Sequence, residues 1–129
     1  MFRKEKSLIL AAIMILTAGA VIAKANDDFC KADFDRLLKG DKNLVNTKLE
    51  GVNLKGMDLS NRNFSGADLE NANLENTDLT NSIFKDADLE SVNLKGAKIT
   101  GTVFKGAELE FATWVDGRVC GEDSLGGCW

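Results

Sequence analysis

Ala67-Asp68-Leu69-Glu70-Asn71 and, twenty residues later, Ala87-Asp88-Leu89-Glu90-Ser91 are two copies of one unit, and their spacing decides the fold. Followed in both directions, the unit recurs without a break from Lys42 to Asp116, fifteen times in all. Each copy is centred on a large apolar residue: Leu44, Leu49, Leu54, Leu59, Phe64, Leu69, Leu74, Leu79, Phe84, Leu89, Leu94, Ile99, Phe104, Leu109 and Trp114. The residue two before the centre is small or β-branched in twelve units, the exceptions being Lys42, Met57 and Arg62. The residue two after it is Gly, Asn, Asp or Ser in fourteen, and Phe111 is the departure.

A period of five suits neither ordinary element. Five helical steps rotate the centre by about 140°, and five strand steps flip its face. The chain must therefore turn once per unit, at the Gly, Asn, Asp and Ser positions that accept positive φ or bond their own backbone. Aromatic centres recur every twenty residues at Phe64, Phe84 and Phe104, so four units close one coil. Coils stack roughly 4.8 Å apart, the spacing of hydrogen-bonded strands, and these three rings are expected to form a core column.

This pattern resembles the pentapeptide repeat family, whose consensus is Ala-(Asp/Asn)-Leu followed by two variable residues. The resemblance spans residues 42–116. It implies an all-β fold, a right-handed quadrilateral β-helix, which at this length has about four coils; the handedness comes from the resemblance alone. Members of that family include cytosolic proteins that imitate duplex DNA in shape and charge and bind topoisomerases, and exported proteins with no assigned role. Fold by itself does not fix function.

Residues 1–25 read as a secretory signal: Arg3, Lys4 and Lys6, an uncharged run from Ser7 to Ala23, then Ala23-Lys24-Ala25 with small residues for cleavage after Ala25. The apolar run is shorter than the roughly 20 residues that span a bilayer, so a secreted or periplasmic chain without further membrane contact is expected. Residues 26–41 read as a short capping helix started by Asp27 or Asp28, with Cys30, Phe34 and Leu37 on one side and Gly40 at its end. Such a lid is needed because stacked coils leave unpaired edges at both ends.

Residues 117–129 read as the opposite lid. Cys120 and Cys128 enclose a seven-residue loop containing Gly121, Gly126 and Gly127, a good candidate for a disulfide in an oxidising compartment. Cys30 lies at the other end of the coil, roughly 15 to 20 Å away by strand spacing. It is either a small buried apolar residue on the lid helix or an intermolecular disulfide joining a homodimer. Met57 and Arg62 are too large for tight corners; either the early coil is wider, or Arg62 reaches outward, or it hydrogen-bonds the lid to the coil.

Removing Arg3, Lys4, Lys6 and Lys24 together with Glu5 from 16 basic and 20 acidic residues leaves 12 against 19, a net charge of −7. That balance disfavours nucleic acid and anionic lipid and suits a basic protein partner. The acids are not scattered. At the twenty-residue period Glu50, Asp68, Glu70, Asp88, Glu90, Glu108 and Glu110 fall on one face, with Lys48 at its foot. Read plainly, they are solvated charges that keep an edge-rich protein soluble. Read functionally, they attract a basic surface, or collect Ca²⁺ weakly because a flat face offers few ligands per ion.

The chain has no His and no Tyr, so the common proton shuttles and Ser-His or Cys-His pairs cannot be assembled. No Cys pair has the short spacing of a zinc site, and no cofactor is suggested. The sequence thus reads as an exported, non-enzymatic binding or structural module working through its acidic face. The alternatives are a topoisomerase-binding DNA mimic and a structural dimer linked through Cys30.

Overall fold

One left-handed residue per unit turns the chain, and that repeated corner builds the molecule. The computed structural model describes residues 30–129; the signal expected over residues 1–25 lies outside the described residues. From Asn46 to Phe111, all fourteen residues two after a centre have φ between 55° and 74°. The corner is closed by a short-range bond such as Ala72 N–H to Leu69 O, 2.9 Å. Phe111 obeys the same geometry, with φ 57°. It is carried through the corner by the bonds around it: Ala112 N–H donates to Leu109 O (3.1 Å) and Ser91 N–H to Glu110 O (2.9 Å).

Between corners, the residue before each centre pairs in parallel with the residue twenty further on. Four ladders result, here called sides A to D. Side A is Asn43, Asn63, Ile83 and Val103; side B is Lys48, Asp68, Asp88 and Glu108; side C is Asn53, Asn73, Asn93 and Thr113; side D is Asp58, Asp78 and Lys98. Each coil bonds its neighbours above and below: Leu69 N–H donates to Asp88 O and Asp88 N–H to Ala67 O, both at 2.9 Å. This is a β-helix solenoid.

The interior follows from the period. Every centre from Leu44 to Leu94 is fully buried, and so are the small residues Val52, Ala67, Ala72, Ala87 and Val92. Burying one Leu or Phe side chain stabilises by about 1.5 to 3 kcal/mol. The aromatic centres stack as expected: Phe64 and Phe84 lie 4.9 Å apart at 6°, and Phe84 and Phe104 lie 5.6 Å apart at 12°. Trp114 closes the column, tilted 59° on Phe104 at 5.4 Å.

Helix α1, Lys31–Leu38, lies against the first coil and buries Phe34 and Leu37. Cys30 stands at its N-cap without a side-chain cap bond, and Asp27 and Asp28, the expected caps, lie outside the described residues. The reading of Cys30 as a buried helix residue is therefore corrected: it precedes the helix and is half-buried. Side-chain and main-chain bonds tie the helix to edge groups of the first coil. Lys48 N–H donates to Asp33 Oδ2 at 3.0 Å, Cys30 N–H donates to Lys48 O at 3.1 Å, and Arg36 Nη2 donates to Asn43 O. Arg62 Nη1 donates to Leu37 O at 2.7 Å, which selects the lid-to-coil bond among the three readings of that residue. Burial pulls the Arg62 guanidinium below its usual range, against the opposing pull of Asp58 and Asp41. Met57 is partly buried against the core.

At the other end the pattern stops one side early. Asp116, the fifteenth corner by sequence, does not take the left-handed φ of the other corners; Gly117 takes φ 89° instead, and Trp114 N–H donates to Arg118 O at 2.8 Å. The chain reverses, so that Val119 pairs antiparallel with Thr113 on side C and Leu125 with Glu108 on side B. Cys120 and Cys128 are bonded, Cα atoms 4.9 Å apart, and both are buried. Among the described residues no helix is long and apolar enough to cross a membrane.

Candidate functional site: the acidic side

Side B presents its charges in two columns, one before each centre and one after it. Asp68 and Asp88, before the centres, do more than carry charge. Their Oδ1 atoms accept the backbone N–H of Glu70 and Glu90 at 3.2 and 3.0 Å. Every Asn and Asp in that position does the same, from Asn43 with Val45 to Asn93 with Lys95. This local bond satisfies a backbone donor that points outward between coils. The Asp members of the acidic face are thus part of the turn chemistry, a role that reading them only as surface charge missed; the signal was present in the recurrence of Asn and Asp at one position of the unit.

The Glu column has no such duty. Glu50, Glu70, Glu90 and Glu110 follow the centres and are half-buried by their neighbours. Glu70 sits in the middle of the stack. Burial raises its pKa above the ordinary glutamate value, and Asp88, Glu90 and Asp68 push it further in the same direction. Asn71 Nδ2 donates to Glu70 Oε1 at 3.0 Å and opposes them in part. Contrast side D, where Asp58 and Asp78 have lowered pKa values because Ser60 and Thr80 donate hydroxyl and backbone hydrogen bonds to them. Like charges stacked across a ladder are unfavourable, and on side B nothing basic lies above Lys48 in either column.

The upper end of the side adds a third source of acid. The returning tail brings Asp123 beside Glu108 and Glu110, and with Ser124 and Leu125 these line a shallow cavity of about 270 Å³. Leu125 is 56% exposed and Phe111, at the corner after Glu110, is 47% exposed, so the acidic side ends in apolar surface. The neighbouring sides differ in sign. Side A carries Lys85 and Lys105 beside the exposed Ile83 and Val103, and side C carries Lys55 paired to Glu75 at 3.3 Å, together with Lys95. Among the described residues no group of three or more His, Cys, Asp or Glu side chains is arranged to hold a metal ion.

Comparison with known proteins gives a consistent picture. A family model described as pentapeptide repeats matches eight copies across residues 43–81 and 82–113, more than half of the chain. Solved structures similar to it include a pentapeptide repeat protein from the Arabidopsis thaliana thylakoid lumen, 21% identical over 47% of this chain and 42% of that one, with a TM-score of 0.46. Another is a pentapeptide repeat protein from the cyanobacterium Cyanothece 51142, 31% identical over 56% and 53%, with a TM-score of 0.39. A third is HetL, involved in heterocyst differentiation regulation in Nostoc, 29% identical over 52% and 40%, with a TM-score of 0.31. The match spans about half or less of the length of each of these structures. No curated protein matches the chain.

Proposed function

Because this chain belongs to the pentapeptide repeat family, a family of repeat scaffolds, we propose that it is a non-enzymatic binding module, exported by its N-terminal signal, that holds a basic protein through side B. Its finer form is a right-handed, four-sided solenoid of about four coils, closed by helix α1 below and by the disulfide-clipped tail above. The observation that carries the reading is the Glu50, Glu70, Glu90 and Glu110 column. It stacks like charges at a cost, and it supplies none of the turn bonds that Asp68 and Asp88 make. A basic partner would turn that repulsion into attraction. The acid is densest on side B, while Lys residues interrupt sides A, C and D, which speaks against an all-round imitation of duplex DNA.

The test is a cross-linking pull-down from the envelope fraction of the exporting cell. It compares the natural chain with one carrying Glu50→Gln, Glu70→Gln, Glu90→Gln and Glu110→Gln. A partner held only by the natural chain supports side B; equal capture by both chains rejects it. The half-buried free thiol of Cys30 favours a second reading, a disulfide-linked dimer, which a non-reducing gel of the exported protein separates from a monomer.

A further inference from the structure

The reversal at Gly117 leaves sides D and A of the uppermost coil without a hydrogen-bonded rung above them. Continued in register, the chain would have turned from Trp114 onto side D and placed Val119 above Ile99; instead Val119 folds back over Thr113. On sides B and C the tail covers the top edge. Leu109 N–H donates to Ser124 O and Gly126 N–H to Ala107 O, and Cys120 N–H donates to Ala112 O, all at 2.8 Å. On side A, Thr102 O, Phe104 N–H and Gly106 N–H make no main-chain bond, but Gly126 of the tail lies over Phe104 and Gly106 and Phe104 stays buried; on side D nothing takes that place. Among the described residues Ala97 O, Ile99 N–H and Gly101 N–H make no hydrogen bond. One coil lower the equivalent groups all bond the coil above: Thr77 O accepts Lys98 N–H, Leu79 N–H donates to Lys98 O, and Asn81 N–H donates to Thr100 O, each at 2.9 Å. The interior is uncovered at the same point. Leu59 and Leu79 are 0% exposed, whereas Ile99, at the head of their column, is only partly buried.

We propose that this bare edge of side D, residues 97–101, is a strand-addition site for an extended acidic segment of a partner protein. An exposed row of backbone donors and acceptors is a template for β-augmentation, in which main-chain bonds supply affinity and alternate side chains supply selectivity. The tail shows the orientation that this end of the solenoid accepts, because both of its pairings, with Glu108 and with Thr113, are antiparallel. Transferred from side B to side D, the geometry assigns each contact. A carbonyl of the incoming strand accepts Ile99 N–H, and the N–H two residues later donates to Ala97 O. The residue between them faces outward beside Lys98, which is exposed. A carboxylate there forms an opposite-charge cross-strand pair.

The residues on either side of that carboxylate point inward over Ile99. In the tail the inward residues are Ser124 and Cys120, each 1% exposed, so small or apolar side chains fit. The preferred occupant is therefore an apolar-acidic-apolar stretch in extended conformation. It is chemically distinct from the basic partner of side B, and the two sites are independent.

The experiment titrates the full chain, isotope-labelled, with the blocked peptide Ac-Thr-Val-Glu-Val-Thr-NH2 and follows backbone amides. Slowed exchange at Ile99 and shifted resonances across residues 97–101 are expected. The same peptide N-methylated on the valine after Glu lacks the donor for Ala97 O, and it should bind roughly tenfold more weakly or worse. Lys98→Glu, at an exposed position, should reverse the preference toward a peptide with Lys in place of Glu. Undiminished binding of the N-methylated peptide, shifts confined to residues outside 97–101, or no shift at millimolar peptide would each overturn the proposal.

Discussion

Behind side B the column Leu49, Leu69, Leu89 and Leu109 is fully buried, while one residue along, Glu50, Glu70, Glu90 and Glu110 stand half in water. Both columns are produced by the same twenty-residue stacking, yet stacking stabilises the first and opposes the second. Identical apolar neighbours 5 Å apart exclude water and fill space. Identical charges at the same spacing repel, and at Glu70 burial first and then the neighbouring Asp88, Glu90 and Asp68 raise the pKa. The coil is thus held by what faces inward, and the outward Glu column is where recognition can be written.

The largest break of that comparison lies in the inner column. Phe84 is fully buried between Phe64 and Phe104, so Phe84→Ala is expected to cost about 3 to 5 kcal/mol, measured as a shift of the urea midpoint. Next comes the upper lid. Replacing Cys120 and Cys128 by Ser removes a constraint on a short loop worth about 2.5 kcal/mol in the chain-entropy account, and exchange at the Leu109 amide should quicken because its acceptor, Ser124 O, lies within that loop. Then the corners: Gly106 has φ +74° and lies against Asp86 Oδ1 of the coil below, so Gly106→Ala should destabilise by about 1 to 2 kcal/mol in the same assay.

The smallest effect sharpens the contrast because its sign is opposite. Glu70→Gln should leave stability unchanged or raise it by a few tenths of a kcal/mol. The pH response follows the same sign. The folded-state pKa of Glu70 is raised, so the proton is held more tightly folded than unfolded, and acidification through that raised value relieves repulsion and favours the fold. Asp58 and Asp78 act the other way. Their lowered values add stability above the ordinary carboxylate range, lost as pH falls through the folded-state pKa. Unfolding curves of the natural chain and Glu70→Gln between pH 3 and 7 should therefore converge toward the acid end.

Much of this molecule was legible in its sequence. The period of five, the small residues two before each centre and the twenty-residue spacing of Phe64, Phe84 and Phe104 are local signals repeated too often to be misread. Even Phe111, the one corner outside the rule, is bent to φ 57° by the bonds of its neighbours, so the repeat governs where residue preference does not. The acidic face was visible for the same reason. Most of what escaped is non-repetitive. The return of the tail depends on Gly117 rather than Asp116 taking the left-handed conformation, a choice between adjacent residues that both favour turns. The Arg62 bond to Leu37 O requires the lid helix to be in place before it can be inferred. The turn bonds of Asp68 and Asp88 hid behind their charge, because Asp serves equally well as a surface acid and as a local acceptor.

The central claim is that the Glu column is dispensable to the fold and required for recognition. It is tested most directly by measuring the affinity of the captured partner, as a function of ionic strength, for the natural chain and for the chain with Glu50→Gln, Glu70→Gln, Glu90→Gln and Glu110→Gln. The expected result is tight, steeply salt-dependent binding by the natural chain and weak, nearly salt-independent binding by the variant. Equal affinities with equal salt slopes would contradict it and leave side B as a solvated wall.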